Sequence, residues 1–173
     1  MDGRGMGRYL RTTLVAGFEV SVAAALVALL LLVVLSRFAG MPWFAYGNLF
    51  ATTVYSADVL EVSYGYHTLA GFSLGFLYFV FAGLVFALVF PSRRRGAGPY
   101  LVGVFFALLL FMAGDRLWWQ QWSRYIVIYG IHSHLMWAHV VFGCVLGALG
   151  GRRASLEAQP PPQQPETVVY NGQ

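Results

Sequence analysis

Residues 12–37 read TTLVAGFEVSVAAALVALLLLVVLSR, an apolar run broken by a single acid, Glu19. A helix needs roughly 20 apolar residues to cross about 30 Å of hydrocarbon, and this run exceeds that. It is about twice the usual apolar length of a signal peptide. The arginines before it (Arg4, Arg8, Arg11) therefore flank an expected retained span. Three further runs of the same kind cover about 66–90, 99–118 and 125–149. Composition agrees, with 58% of residues hydrophobic and 10% charged, against about 25% charged in soluble domains. A chain of 173 residues has no core large enough to absorb that much apolar surface, so lipid is the natural solvent. The expected fold class is all-α: an integral membrane four-helix bundle.

Arginine placement predicts orientation. Arg4, Arg8 and Arg11 precede the first span, Arg93 to Arg95 fill the short loop after the second, and Arg152 and Arg153 follow the fourth. The opposite side has Arg37, Arg116 and Arg124. The positive-inside rule then puts the N and C termini in the cytoplasm of a multi-pass protein of the cytoplasmic (inner) membrane. Trp43, Trp118, Trp119 and Trp122, with Tyr64, Tyr66 and Tyr125, form an expected aromatic belt at the outer interface. The outer loop 38–65 contains MPWFAYGNLFATTVY, too apolar for a free loop, and is expected to lie on the membrane surface or to fold back over the bundle, as a short interfacial helix. The membrane domain is expected over 1–153. The proline- and glutamine-rich tail 154–173 is expected to be disordered and cytoplasmic. The net charge of +4 is all arginine. It sits at span ends rather than in a patch, so no nucleic-acid partner is expected. The lone Cys144 excludes a disulfide within the chain.

One pattern occurs twice. HTLAGFSLG (67–75) and HVVFGCVLG (139–147) both read His-x-x-x-Gly-x-x-x-Gly. Residues four apart share a helix face, so His67, Gly71 and Gly75 form one stripe, and His139, Gly143 and Gly147 another. Gly103, Ala107 and Gly114 lie along a similar line in the third span. Such small-residue stripes let membrane helices approach closely, and packing explains Gly71, Gly75, Gly103, Gly143 and Gly147. The repeat is compatible with a duplicated hairpin. However, counting 1.5 Å per residue puts His67 ~34 Å and His139 ~15 Å above the cytoplasmic edge, which argues against one shared bis-histidine site.

The segment IHSHLMWAH adds His132 and His134, although two residues two apart face different ways on a regular helix. Gly130 could unwind that end. The same count puts both histidines, Asp115 and Arg116 at ~22–25 Å, an expected polar layer with His67 above it. His132, His134, Asp115 and His67 are thus the candidate metal ligands, since imidazole suits copper, zinc and iron. The plainer alternative is interhelical hydrogen bonding and snorkelling. Glu19, at ~10 Å, needs a partner inside hydrocarbon. A Glu19–His139 pair is expected, either structural or proton-handling.

No P-loop, dinucleotide fingerprint, Cys-x-x-Cys, zinc-protease motif or catalytic triad is present, so the reading leans away from an enzyme and names no catalytic residue. PWFAYGNLF, the paired histidine–glycine stripes and the closing AHVVFGCVLGALG resemble a broad class of small bacterial four-helix inner-membrane proteins. The resemblance covers most of residues 12–150 and implies a fold without an activity. The leading expectation is a non-enzymatic bundle in the lipid bilayer that self-associates as a homo-oligomer or serves as an accessory subunit of a membrane complex, with no cofactor. The alternatives are a haem- or copper-binding electron-transfer subunit using the outer histidines, and a small proton-coupled channel or carrier using Glu19 and His139.

Overall fold

The computed structural model describes residues 3–90 and 96–158. The helices are α1 (Gly3–Phe38), α2 (Ala45–Ala51), α3 (Tyr66–Val89), α4 (Gly98–Ala113), α5 (Trp119–Trp122), α6 (Arg124–Tyr129), α7 (His132–Leu146) and α8 (Leu149–Glu157). Among the described residues there is no strand. Four stretches are long and apolar enough to cross a membrane: Tyr9–Phe38, Tyr66–Val89, Gly98–Gln121 and His132–Glu157. They alternate in direction, so α1 starts and α8 ends at one end of the bundle, the terminal end. The helices α2, α5 and α6 occupy the other, the loop end. The outward faces are large and apolar: Leu30, Leu77, Phe81, Leu101 and Phe105 are all exposed.

Two helix pairs touch through small residues. In α1 and α3, Gly17 faces Ala87, Ser21 faces Gly83, and Gly75 meets Leu29. The Ser21 hydroxyl donates to the Gly17 carbonyl at 2.5 Å and that of Ser36 to Leu32 at 2.7 Å, so neither is left unpaired in the apolar interior. In α4 and α7, Gly103 and Gly143 lie backbone to backbone, and Gly147 rests on Tyr100. Between α3 and α4 the arrangement differs. Phe106 of α4 meets Phe86 of α3 at 5.2 Å and Phe90, just beyond α3, at 6.2 Å between ring centroids. Rings fill the space that glycines close elsewhere.

The glycine stripes therefore serve contacts within the chain. Gly71 does not meet another span. It meets Gly47 and Ala51 of α2, and Gly75 meets the Phe50 ring of the same short helix. Of the two placements expected for the outer loop, α2 takes the one folded back over the bundle: Tyr46 to Ala51 are all buried.

The fourth span departs from its expected bounds of 125–149. At Gly130 and Ile131 the backbone is extended (φ/ψ −70/127° and −72/108°). This separates α6 from α7, so the span begins at His132 and runs on to Glu157. Gly130 is required there, because a Cβ would collide with the Ile126 carbonyl. Part of the tail expected to be disordered is therefore helix as far as Glu157, and residues 159–173 lie outside the described residues. The third span changes pitch at Gly114–Trp118, a π turn in which the Trp119 amide donates to the Gly114 carbonyl.

A methyl group on Gly143 would sit 2.5 Å from the Gly103 carbonyl oxygen and 2.6 Å from Cα of Val104, both backbone atoms. Gly143→Ala is expected to push α4 off α7 and destabilise the fold by about 1–3 kcal/mol. Gly151→Ala, where nothing lies within 4 Å, should be neutral. Unfolding in mixed micelles compares the two.

Candidate functional site

The loop end is assembled from α2 outward. Asn48 of α2 donates to the Val62 carbonyl at 2.9 Å and accepts from the Thr68 hydroxyl at 2.5 Å. Thr68 in turn accepts from the Gly65 amide at 3.2 Å, closing the first turn of α3. Thr52 donates to the Leu49 carbonyl at 2.6 Å and pairs with the Ser123 hydroxyl at 2.5 Å, tying α2 to the α5–α6 link. The Tyr46 hydroxyl lies 3.0 Å from Nδ1 of His134 and also bonds the backbone of Ile131. It thereby bridges the break between α6 and α7, where backbone groups lack helical partners.

Beneath α2 lies a cavity of about 400 Å³ bounded by α2, α3, α5, α6 and α7. Phe50, Leu74, Phe79, Ile126 and Leu135 supply apolar walls, and Trp119 a ring. The π turn has a visible consequence here. Trp119, expected in an interfacial belt, is 7% exposed and faces inward, with centroids 6.0 Å from His139 and 6.4 Å from Tyr78.

His139 is the polar centre of this cavity and is 1% exposed. Its Nδ1 lies 2.8 Å from the Leu135 carbonyl, one turn back on α7. A carbonyl only accepts, so Nδ1 carries the proton, and Nε2 of the neutral ring is left as an acceptor. The Tyr78 hydroxyl is 3.4 Å from Nε2, long for a hydrogen bond of this type. Phe79 and Phe111 pack on the imidazole at 5.2 and 5.4 Å between centroids. The site is thus a largely apolar cavity with one weakly engaged ring nitrogen beside the Tyr78 hydroxyl, while the Thr53 hydroxyl on its wall is bonded to the Phe50 carbonyl at 2.9 Å.

The remaining candidates are dispersed. His132 and Asp115 do meet, with Nε2 3.0 Å from Oδ1, on an exposed face. His134 turns to Tyr46, and His67 lies against Tyr66 and Tyr55, with centroids 4.2 and 6.2 Å apart. The candidate metal ligands His132, His134, Asp115 and His67 are not gathered into one cluster. Among the described residues no group of three or more His, Cys, Asp or Glu could hold a metal ion.

The expected Glu19–His139 pair is corrected. Leu146 and Ser21 both touch Gly83, which places Glu19 and His139 roughly 13 Å apart along the bundle. Glu19 is instead gripped by Arg152 through two bonds, Nε to Oε2 at 2.5 Å and Nη2 to Oε1 at 3.0 Å. The long fourth span carries Arg152 alongside α1, where a count ending that span at residue 149 cannot place it. Next to it, buried Arg153 donates to the Ala87 carbonyl in the last turn of α3. Tyr78, Tyr46, Trp119 and Arg152 are the residues that sequence reasoning missed. Tyr78 had one usable signal: it is the hydrogen-bonding ring in the middle of the second span.

Compared with known proteins, the chain matches no protein-family model, no curated protein and no solved structure. The geometry alone carries the functional argument.

Burial pushes the Tyr46 phenol from 10.0 up to about 12. A raised pKa means that the folded state holds the proton more tightly. The stabilisation is therefore complete below pH 10 and is lost as pH rises toward about 12. Tyr46→Phe, which leaves His134 Nδ1 and the α6–α7 break without the hydroxyl, is expected to destabilise by about 1 kcal/mol near neutral pH. That deficit should shrink as pH climbs through the same window, read by thermal unfolding in micelles.

Proposed function

We propose that this chain is a non-enzymatic, multi-pass protein of the cytoplasmic (inner) membrane that holds a small membrane-dissolved molecule in the cavity at His139. The observation that carries this reading is His139 itself: a buried imidazole with its tautomer fixed by Leu135 and its acceptor nitrogen turned to an apolar cavity. A histidine needed only for packing would have both nitrogens well bonded. Pockets that take small ligands are mostly apolar, with a few placed polar groups, and this cavity has that composition.

Both termini in the cytoplasm is supported by the arginines. Arg4, Arg8, Arg11, Arg152 and Arg153 belong to the terminal end, and in the sequence Arg93 to Arg95 fall between α3 and α4. The loop end has Arg37, Arg116 and Arg124, with Asp58, Glu61 and Asp115 among them. Association with a second copy or with other membrane subunits would use the leucine- and phenylalanine-rich outer faces, because the glycine stripes are already occupied within the chain.

The test is native mass spectrometry of untagged full-length protein released from lipid nanodiscs, with a visible spectrum and metal analysis of the same sample. A small-molecule adduct is expected on the wild type and absent from Leu74→Trp, which fills the cavity from the α3 side. A colourless, metal-free sample is expected alongside. An adduct-free wild type, or a haem or stoichiometric metal, would sink the reading.

A further inference from the structure

Of the polar groups lining the cavity, which include the Thr53 hydroxyl and the Trp119 indole N–H, the adjacent pair His139 and Tyr78 differ in what they ask of a ligand. His139 Nε2 accepts, because Nδ1 holds the proton against Leu135. The Tyr78 hydroxyl, at 3.4 Å from Nε2, both donates and accepts. An oxygen within hydrogen-bond distance of both atoms must therefore donate to Nε2 and accept from Tyr78. A hydroxyl does both. A carbonyl or ether oxygen only accepts, and leaves Nε2 unpaired in an apolar cavity, where an unmet polar group is most costly.

The walls choose the rest of the molecule. Tyr78, Phe79 and Trp119 present rings on the cavity, and ring pairs favour offset or edge contacts with another flat ring. Phe50, Val54 and Leu74 continue the apolar lining, and Val54 is 66% exposed, which gives an alkyl tail a way out to the side of the bundle. The lining includes no Arg and no Lys, so the carboxylates of a porphyrin would find no cation there.

Resting on the reading of this cavity as a ligand site, we infer that it takes a phenol- or quinol-type molecule. The ligand is an aromatic ring with a free hydroxyl and an apolar tail, held by that hydroxyl between His139 Nε2 and the Tyr78 oxygen. The reduced, hydroxyl-bearing form of such a ring is bound in preference to any form in which the oxygen is capped or oxidised to a carbonyl.

The experiment uses the full chain in liposomes of phosphatidylethanolamine and phosphatidylglycerol. A diazirine-bearing alkylphenol is photocrosslinked and the labelled peptides are mapped. Para-octylphenol and para-octylanisole, identical but for the capped oxygen, then compete. Label is expected on the α3 and α7 peptides that line the cavity. The phenol is expected to displace it at about tenfold lower concentration than the anisole, the size of one buried hydrogen bond. His139→Leu should bring that ratio close to one. Tyr78→Phe, which keeps the His139–Leu135 bond and the packing, removes a donor that serves both compounds, so it should weaken both and leave the ratio near tenfold, a readout that stands even if His139→Leu fails to fold. Equal competition by the two compounds in the wild type would overturn the hydroxyl assignment and leave the cavity as an apolar ligand site. Label only outside the cavity would overturn both.

Discussion

Gly103 and Gly143 meet backbone to backbone, and much of the interior follows from that contact. Without a side chain on either helix, α4 and α7 approach as closely as two helices can. Gly17, Ser21 and Gly83 do the same for α1 and α3. Two tight pairs cannot also be tight across every face of a four-helix arrangement. The face between α3 and α4 stays wider, and phenylalanines and a tryptophan occupy it. Beneath α2, the side chains of α3, α5, α6 and α7 leave the cavity at His139.

A second constraint acts on the polar groups. In apolar surroundings an unpaired donor or acceptor is costly, and the chain answers this locally wherever it can. Ser21, Ser36 and Ser73 turn back to the carbonyl four residues earlier. Where the backbone itself breaks, at Gly130 and Ile131, the answer is tertiary: Tyr46 reaches from α2 to the break and to His134. The buried short helix is therefore more than a cover. It supplies the group that makes an interrupted fourth span tolerable, and the interruption sets where His132, His134 and His139 fall along α7.

Much of this was legible in the sequence. Run length and the scarcity of charge announce four spans, because hydrocarbon thickness dictates helix length directly. The small-residue stripes announce close helix contacts. What approaches each stripe is a different matter, since periodicity describes one helix and a contact needs two. Gly71 looked like a seat for another span and holds α2 instead. The partner of Glu19 was misjudged for a related reason. Depth counted from assumed span ends carries any error in those ends into every residue of the helix. A fourth span shifted to His132–Glu157 brings Arg152 beside Glu19 and takes His139 away. Trp119 was hidden by the π turn, whose extra residue rotates everything after it relative to a regular helix.

The two copies of His-x-x-x-Gly-x-x-x-Gly show how far a local pattern constrains function. Both put a histidine one turn before a glycine that meets another backbone. At His67 that turn is the start of α3, where the chain has just emerged from a loop, and the ring rests among tyrosines near the surface. At His139 the turn lies mid-helix, with a full preceding turn of α7 to offer the Leu135 carbonyl. The same four-residue spacing that aligns the glycines therefore also supplies the bond that fixes the imidazole tautomer in the second copy. His67 sits at the second position of α3, too near the helix start to have a helical carbonyl four residues back. Position along the helix, rather than the motif, makes one histidine a surface ring and the other an oriented acceptor facing a cavity.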